Sequence, residues 1–91
     1  MPAYTATKEQ LLTRLKRIEG QTRGVQKMIE DDRYCIDVLT QISAVQAALD
    51  KVALGLLDDH VKHCVVAGHG PGSQDELTEE MMAAIGRLLA R

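Results

Sequence analysis

The chain has no tryptophan, no phenylalanine and only two tyrosines, Tyr4 and Tyr34, in 91 residues. Nucleic-acid modules that stack bases on aromatic platforms, such as RRM and OB folds, do not fit such a composition. A large aromatic-lined ligand pocket does not fit it either. Proline is scarce: Pro2 lies at a terminus and Pro71 in a Gly-rich segment, so long stretches are free to be helical. No apolar run approaches the ~20 residues of a membrane span. The opening MPAYTATKEQ lacks the basic-then-apolar order of a secretory signal. Cysteine occurs twice, as Cys35 and Cys64. Without an export signal, such thiols are expected in a reducing cytoplasm, as ligands or sensors more often than as a disulfide. The formal charge of −2 provides no global positive field, so nucleic-acid binding would need a local basic surface.

The chain is 45% hydrophobic and 26% charged, a globular balance. Its length predicts one domain, 1–91, near the size at which a lone core is marginal, and therefore an oligomer. Three helical patterns follow one another. Over 7–30, Leu11, Leu15, Ile18, Val25, Met28 and Ile29 recur at helical spacing with Thr22 filling the gap, and Thr7 with Gln10 forms a capping box. Gly20 and Gly24 inside this pattern cost roughly 1 kcal/mol each against Ala; close approach by another helix or by DNA and a plain kink are both open. Asp31 and Asp32 break the period and are N-cap candidates for the next helix.

The second pattern is the strongest. Val38, Ile42, Val45, Leu49, Val52 and Leu56 alternate steps of four and three, predicting one helix over 34–66. It should end at AGHGPG, 67–72, where three glycines and Pro71 cannot continue it. Ser73 with Glu76 caps a third helix carrying Leu77, Met81, Ala84, Ile85, Leu88 and Leu89. The fold class is all-α, with three helices and no repeats.

His60 and Cys64 lie four residues apart and leave one helix face, as a metal-chelating pair would. Cys35 shares their stripe, yet 25 residues of helix at 1.5 Å rise place it about 37 Å from His60. Metal–ligand bonds of ~2.0–2.3 Å cannot bridge that within one straight helix. Two copies packed antiparallel about a two-fold axis near 47–49 would bring Cys35 of one to the His60–Cys64 pair of the other, twice over. Ala44, Ala47 and Ala48 are small enough to permit that approach. Two thiolates and one imidazole suit Cu(I), which is content with three ligands; Zn(II) would need a fourth. The competing reading makes each Cys a small buried hydrophobe. His63 is rotated about 100° from Cys64, and His69 sits in the Gly-rich segment; neither joins the set.

Arg14, Lys16, Arg17, Arg23 and Lys27 give the stretch 14–27 a positive balance against Glu19 alone, in a chain that is acidic overall. Such a cluster is either an ordinary solvated face or a phosphate-contacting one multiplied by oligomerisation. No helix-turn-helix, zinc-finger or basic-zipper spacing accompanies it.

Together, RLKRIEGQTRGVQKMIEDDRYCIDVLTQISAVQAAL over 14–49 and DDHVKHCV over 58–65 resemble the CsoR family of copper-sensing repressors, and the resemblance covers nearly the whole chain. It implies an all-α antiparallel dimer assembling into a dimer-of-dimers tetramer. It also implies an apo form that binds operator DNA and is released by Cu(I), derepressing copper-resistance genes. Residue by residue, it implies Cu(I) ligands Cys35, His60 and Cys64, with Tyr34 and Glu80 relaying metal occupancy. It places DNA contacts among Arg14, Lys16, Arg17, Arg23 and Lys8, with Lys51 a further candidate. Nickel and cobalt members resemble His-rich sites with a histidine near the N-terminus, absent from 1–10 here. Formaldehyde members share Pro2 and Cys35 but generally lack the thiol at Cys64; persulfide members replace the residue at His60. Copper is therefore favoured; formaldehyde or persulfide sensing through Cys35 remains an alternative, as does a cytosolic copper buffer without DNA binding. No nucleophile–base–orienter set points to an enzyme.

Overall fold

Leu11, Leu15, Ile18, Thr22 and Val25 repeat at steps of three and four, and the chain answers with helix α1, Lys8–Glu30. Helices α2, Cys35–His60, and α3, Gln74–Leu89, follow. The computed structural model describes residues 8–62 and 72–90, and among them there is no strand. Thr7, and with it the expected capping box, lies outside the described residues. The chain divides into two compact units, Ala6–Gly55, and Met1–Thr5 with Leu56–Arg91.

In the first unit α1 and the start of α2 form an antiparallel helical hairpin. Leu11 meets α2 at Gly55, Ile18 packs in one cluster with Val45, Ala48 and Val52, and Ile29 shares a surface groove with Val38 and Leu39. Gly55 is a position of close approach: a Cβ there would stand 3.0 Å from Leu11 Cδ2. Gly20 and Gly24 are different, since an added Cβ at either would meet nothing within 4 Å. Helix α1 runs through both without a break, so neither serves a close approach among the described residues.

The connection between the helices corrects one expectation. Asp32 has φ +54°, its N–H donates to the Ile29 carbonyl at 3.1 Å, and the Arg33 N–H donates to the Met28 carbonyl at 2.9 Å. This pair of bonds around a left-handed residue is a Schellman motif. Asp31 and Asp32 thus finish α1 and do not cap α2, because the left-handed turn is spent on satisfying the last carbonyls of α1. At α2 the cap position falls to Tyr34, whose carbonyl accepts from both Asp37 N–H (3.0 Å) and Val38 N–H (3.2 Å).

Only five hydrophobic side chains are buried among the described residues, Leu11, Ile18, Val38, Val52 and Leu77, whereas thirteen large ones are at least a third exposed. Each fully buried aliphatic side chain contributes about 1.5–3 kcal/mol, so most of the potential core of α2 awaits a further surface. The period of α2 explains which part. Val38, Val45, Ala48 and Val52 turn towards α1, while Ile42 and Leu49, read as the same seam, are 36% and 44% exposed.

In the second unit α3 starts as the sequence predicts. Ser73 is its N-cap and its Oγ accepts from the Glu76 N–H at 3.2 Å. Gly72, at φ +87°, admits the Glu76 carboxylate so closely that a Cβ would stand 2.6 Å from Glu76 Oε2. Leu77 is 1% exposed, and Met81 and Ile85, at i+4 and i+8, are half-buried behind it. Helix α2 ends at His60 and passes into a wider π-type turn at 61–62; the rest of the expected helix to 66 lies outside the described residues. Asp58 accepts a hydrogen bond from Lys62 Nζ at 3.0 Å, and this bond, with the charge behind it, holds the Lys62 ammonium above its ordinary pKa.

Candidate metal and nucleic-acid sites

Helix α2 carries the metal candidates. Cys35 is its first residue, exposed, with a free thiol. His60 is its last and is half-buried. Since α2 is continuous between them, helical rise separates the two by about 37 Å, and one chain cannot close its own site from both. Among the described residues no three His, Cys, Asp or Glu side chains come together as a metal site. Cys64, with His63 and His69, lies outside the described residues.

At about 100° per residue, Cys35, Ile42, Leu49, Ala53 and His60 fall within roughly 40° of one another around α2. They form one lengthwise stripe with the thiol at one end and the imidazole at the other. Ala44, Ala47 and Ala48 lie at least about 100° away from that stripe and line a groove with Arg14, Arg17 and Ile18 of α1. Of these, Ala48 packs against the Leu11, Ile18 and Val52 cluster of its own chain, while Ala44 and Ala47 are exposed. At the midpoint of the thiol–imidazole stripe the residue presented is Leu49.

Tyr34, immediately before Cys35, is 67% exposed. Glu80 is exposed in the second turn of α3.

The basic residues of α1 separate into two groups. Arg14 and Arg17 stand together on one side, where they share a groove of about 510 Å³ with Lys51 of α2. Gln21, one turn beyond Arg17, lines the same groove. Among the described residues no carboxylate pairs with Arg14, Arg17 or Lys51. Lys16, Arg23 and Lys27 leave the helix at least about 80° away. Arg23 is hydrogen-bonded to Glu19, and Lys27 pairs with Asp31 at 3.3 Å, so part of this second group is locally neutralised. Lys8, the first residue of α1, is exposed. Sequence reasoning weighed the cations of α1 as one cluster and passed over Gln21. The i, i+3, i+7 spacing of Arg14, Arg17 and Gln21 was the signal that could have separated them.

Among the described residues this is an all-helical protein with a free thiol and an imidazole at the two ends of α2 and cations lining the groove between α1 and α2. The family profile described as "metal-sensitive transcriptional repressor" matches residues 7–87. The copper-sensing transcriptional repressor RicR of Mycobacterium tuberculosis is 57% identical over 89 residues, spanning 94% of this chain and 92% of that protein. Among solved structures, the copper-sensing repressor CsoR with Cu(I) from Geobacillus thermodenitrificans superposes with a TM-score of 0.83 at 50% identity, covering 96% of this chain and 91% of that one. The nickel-responsive transcriptional regulator InrS gives a TM-score of 0.73 at 41% identity, covering 89% and 91%. The chain belongs to the family of metal-sensitive transcriptional repressors.

Proposed function

We propose that this chain is a Cu(I)-responsive transcriptional repressor: its metal-free form binds operator DNA, and Cu(I) binding releases it and derepresses copper-resistance genes. The observation that carries the reading is helix α2 itself, with an exposed free thiol at one end and an imidazole about 37 Å away at the other. A second copy laid antiparallel on that helix places Cys35 of one protomer beside His60 and Cys64 of the partner subunit, twice per dimer. It also covers Ile42 and Leu49, which one chain leaves exposed. The donor set of two thiols and one imidazole fits Cu(I). A nickel-responsive regulator shares the fold, so the fold alone does not choose the metal; the donor set does. Further support comes from the similarity to RicR and to the Cu(I)-bound CsoR.

The whole chain, 1–91, then acts as one sensing and DNA-binding domain in the cytoplasm, as a homodimer pairing into a homotetramer. Cys35 of one protomer with His60 and Cys64 of the partner subunit would hold the Cu(I), which would tie the two protomers together. The protein residues do the rest: Cys35, His60 and Cys64 set the spacing of the helix ends, and Tyr34 and Glu80 pass that spacing to α3. Arg14 and Arg17, with Lys16 and Lys8, contribute the charge that meets phosphate, whereas Arg23, paired with Glu19, adds little. A hundredfold loss of DNA affinity corresponds to about 2.7 kcal/mol of coupling, within the usual range for one effector. No catalytic role is assigned.

The test is an anaerobic Cu(I) titration of reduced protein against a competing chelator, repeated with operator duplex present. One tightly held Cu(I) per protomer and release of the duplex at the same stoichiometry support the reading. Failure to compete with the chelator refutes it and leaves the exposed thiol of Cys35 as a sensor of formaldehyde or persulfide. Tight Cu(I) binding without any DNA binding would instead identify a copper buffer.

A further inference from the structure

From the α1–α2 groove we infer that Gln21 reads base identity for this protein, a sequence-discriminating contact set among phosphate-binding cations; the inference rests on the DNA-binding reading above. The groove holds Arg14 and Arg17 on one wall and Lys51 on the other. These side chains only donate hydrogen bonds, and guanidinium and ammonium groups recognise phosphate oxygens in any sequence. The rest of the α2 wall is methyl groups, from Ala44, Ala47 and Ala48. Gln21 is the one side chain lining the groove that offers both a donor and an acceptor. Its carboxamide has no hydrogen-bond partner among the described residues, so nothing internal explains its presence.

The spacing fits the task. Gln21 follows Arg17 by four residues, about 6 Å along the helix axis, half the ~12 Å width of a major groove. With Arg17 on the phosphates at the wall, Gln21 falls over the base edges in the middle. A Gln amide there pairs bidentately with adenine N6 and N7. The neighbouring groove, lined by Glu9, Gln10, Thr13, Arg14 and Arg17, also offers an amide. It carries the Glu9 carboxylate as well, which repels a phosphate backbone, so the groove holding Gln21 is the better fit.

The experiment is selection from a pool of random-sequence duplexes by the full-length wild type and by the Gln21→Ala and Arg17→Ala variants. Gln21 is exposed in mid-helix, and Ala is the better helix former, so Gln21→Ala folds. The expected result is a wild-type motif containing A·T positions, one of which becomes degenerate in each half-site for Gln21→Ala. Discrimination there should fall by about fivefold to a hundredfold. Binding of Gln21→Ala to mixed-sequence duplex, and its salt dependence, should be unchanged. Arg17→Ala should keep the motif and bind every duplex more weakly. If Gln21→Ala selects the wild-type motif undiminished, the inference is overturned while the DNA-binding reading stands. If the wild type itself enriches nothing, both fall.

Discussion

Arg17 and Arg23 are equal in formal charge and sit on the same helix, yet the structure predicts that they differ in DNA binding. Arg17 lines the groove with Arg14 and Lys51 and has no carboxylate partner among the described residues. Arg23 is hydrogen-bonded to Glu19 one turn away, so a phosphate approaching it meets a nearly neutral pair. Each phosphate contact contributes about 0.9 to the slope of log K against log salt. A dimer presents two copies of each residue, so Arg17→Ala should flatten the slope by about 1.8. Between 50 and 200 mM salt that is a difference of about twelvefold in how much affinity is lost. Arg23→Ala should change the slope by well under one contact, and Glu19→Gln, which unmasks Arg23, should tighten binding. Fluorescence anisotropy of a labelled operator duplex across that salt range measures all three. Equal slope changes for Arg17→Ala and Arg23→Ala would refute the division of α1 into a free and a neutralised side.

Four shorter predictions accompany it. Cys35→Ala should abolish Cu(I)-dependent release while leaving apo binding to operator intact; a variant that still lets go of DNA on adding Cu(I) would displace Cys35 from the site. Glu80→Ala should retain Cu(I) affinity by chelator competition but show a smaller change in operator affinity on metal loading, and a full response would remove Glu80 from the relay. Asp32 adopts φ +54° at the end of α1, a region that costs most L-residues about 1–2 kcal/mol and glycine little, so Asp32→Gly should stabilise the protein. At fixed protein concentration its Tm should rise by about 4–8 °C per kcal/mol gained, and a fall would contradict the Schellman geometry. Ser73→Ala removes the cap from Glu76 N–H and should cost about 0.5–2 kcal/mol in a denaturant titration, whereas Ser73→Asp should restore stability.

Periodicity alone located the helices well, because a 3.6-residue repeat of apolar side chains has one low-energy solution in water. Helix α1 was expected over 7–30 and is described from Lys8 to Glu30, and Ser73 caps α3 as its spacing to Glu76 required. The error at Asp31 and Asp32 has a local cause. Asp serves equally as an N-cap and as a tolerable left-handed residue, and only the bonds back to Met28 and Ile29 decide between them. The alanines of α2 are a different case. Ala44, Ala47 and Ala48 are small on any helix face, and a sequence does not say which neighbour exploits that.

What the sequence determined by itself is the chemistry: two thiols and an imidazole, the separation of Cys35 from His60 along α2 too great for a single chain, and cations concentrated in α1. Residue type and helical rise suffice for those statements. Only the tertiary structure decided which face each group occupies once α1 and α2 pack. That packing turns Val45, Ala48 and Val52 inward, leaves Cys35, Ile42 and Leu49 exposed, and sets Arg14, Arg17 and Gln21 across from Lys51. The hairpin can bury only one side of α2, and the choice of side rests on how Leu11, Ile18 and Gly55 fit together, a property of the paired helices and of neither alone.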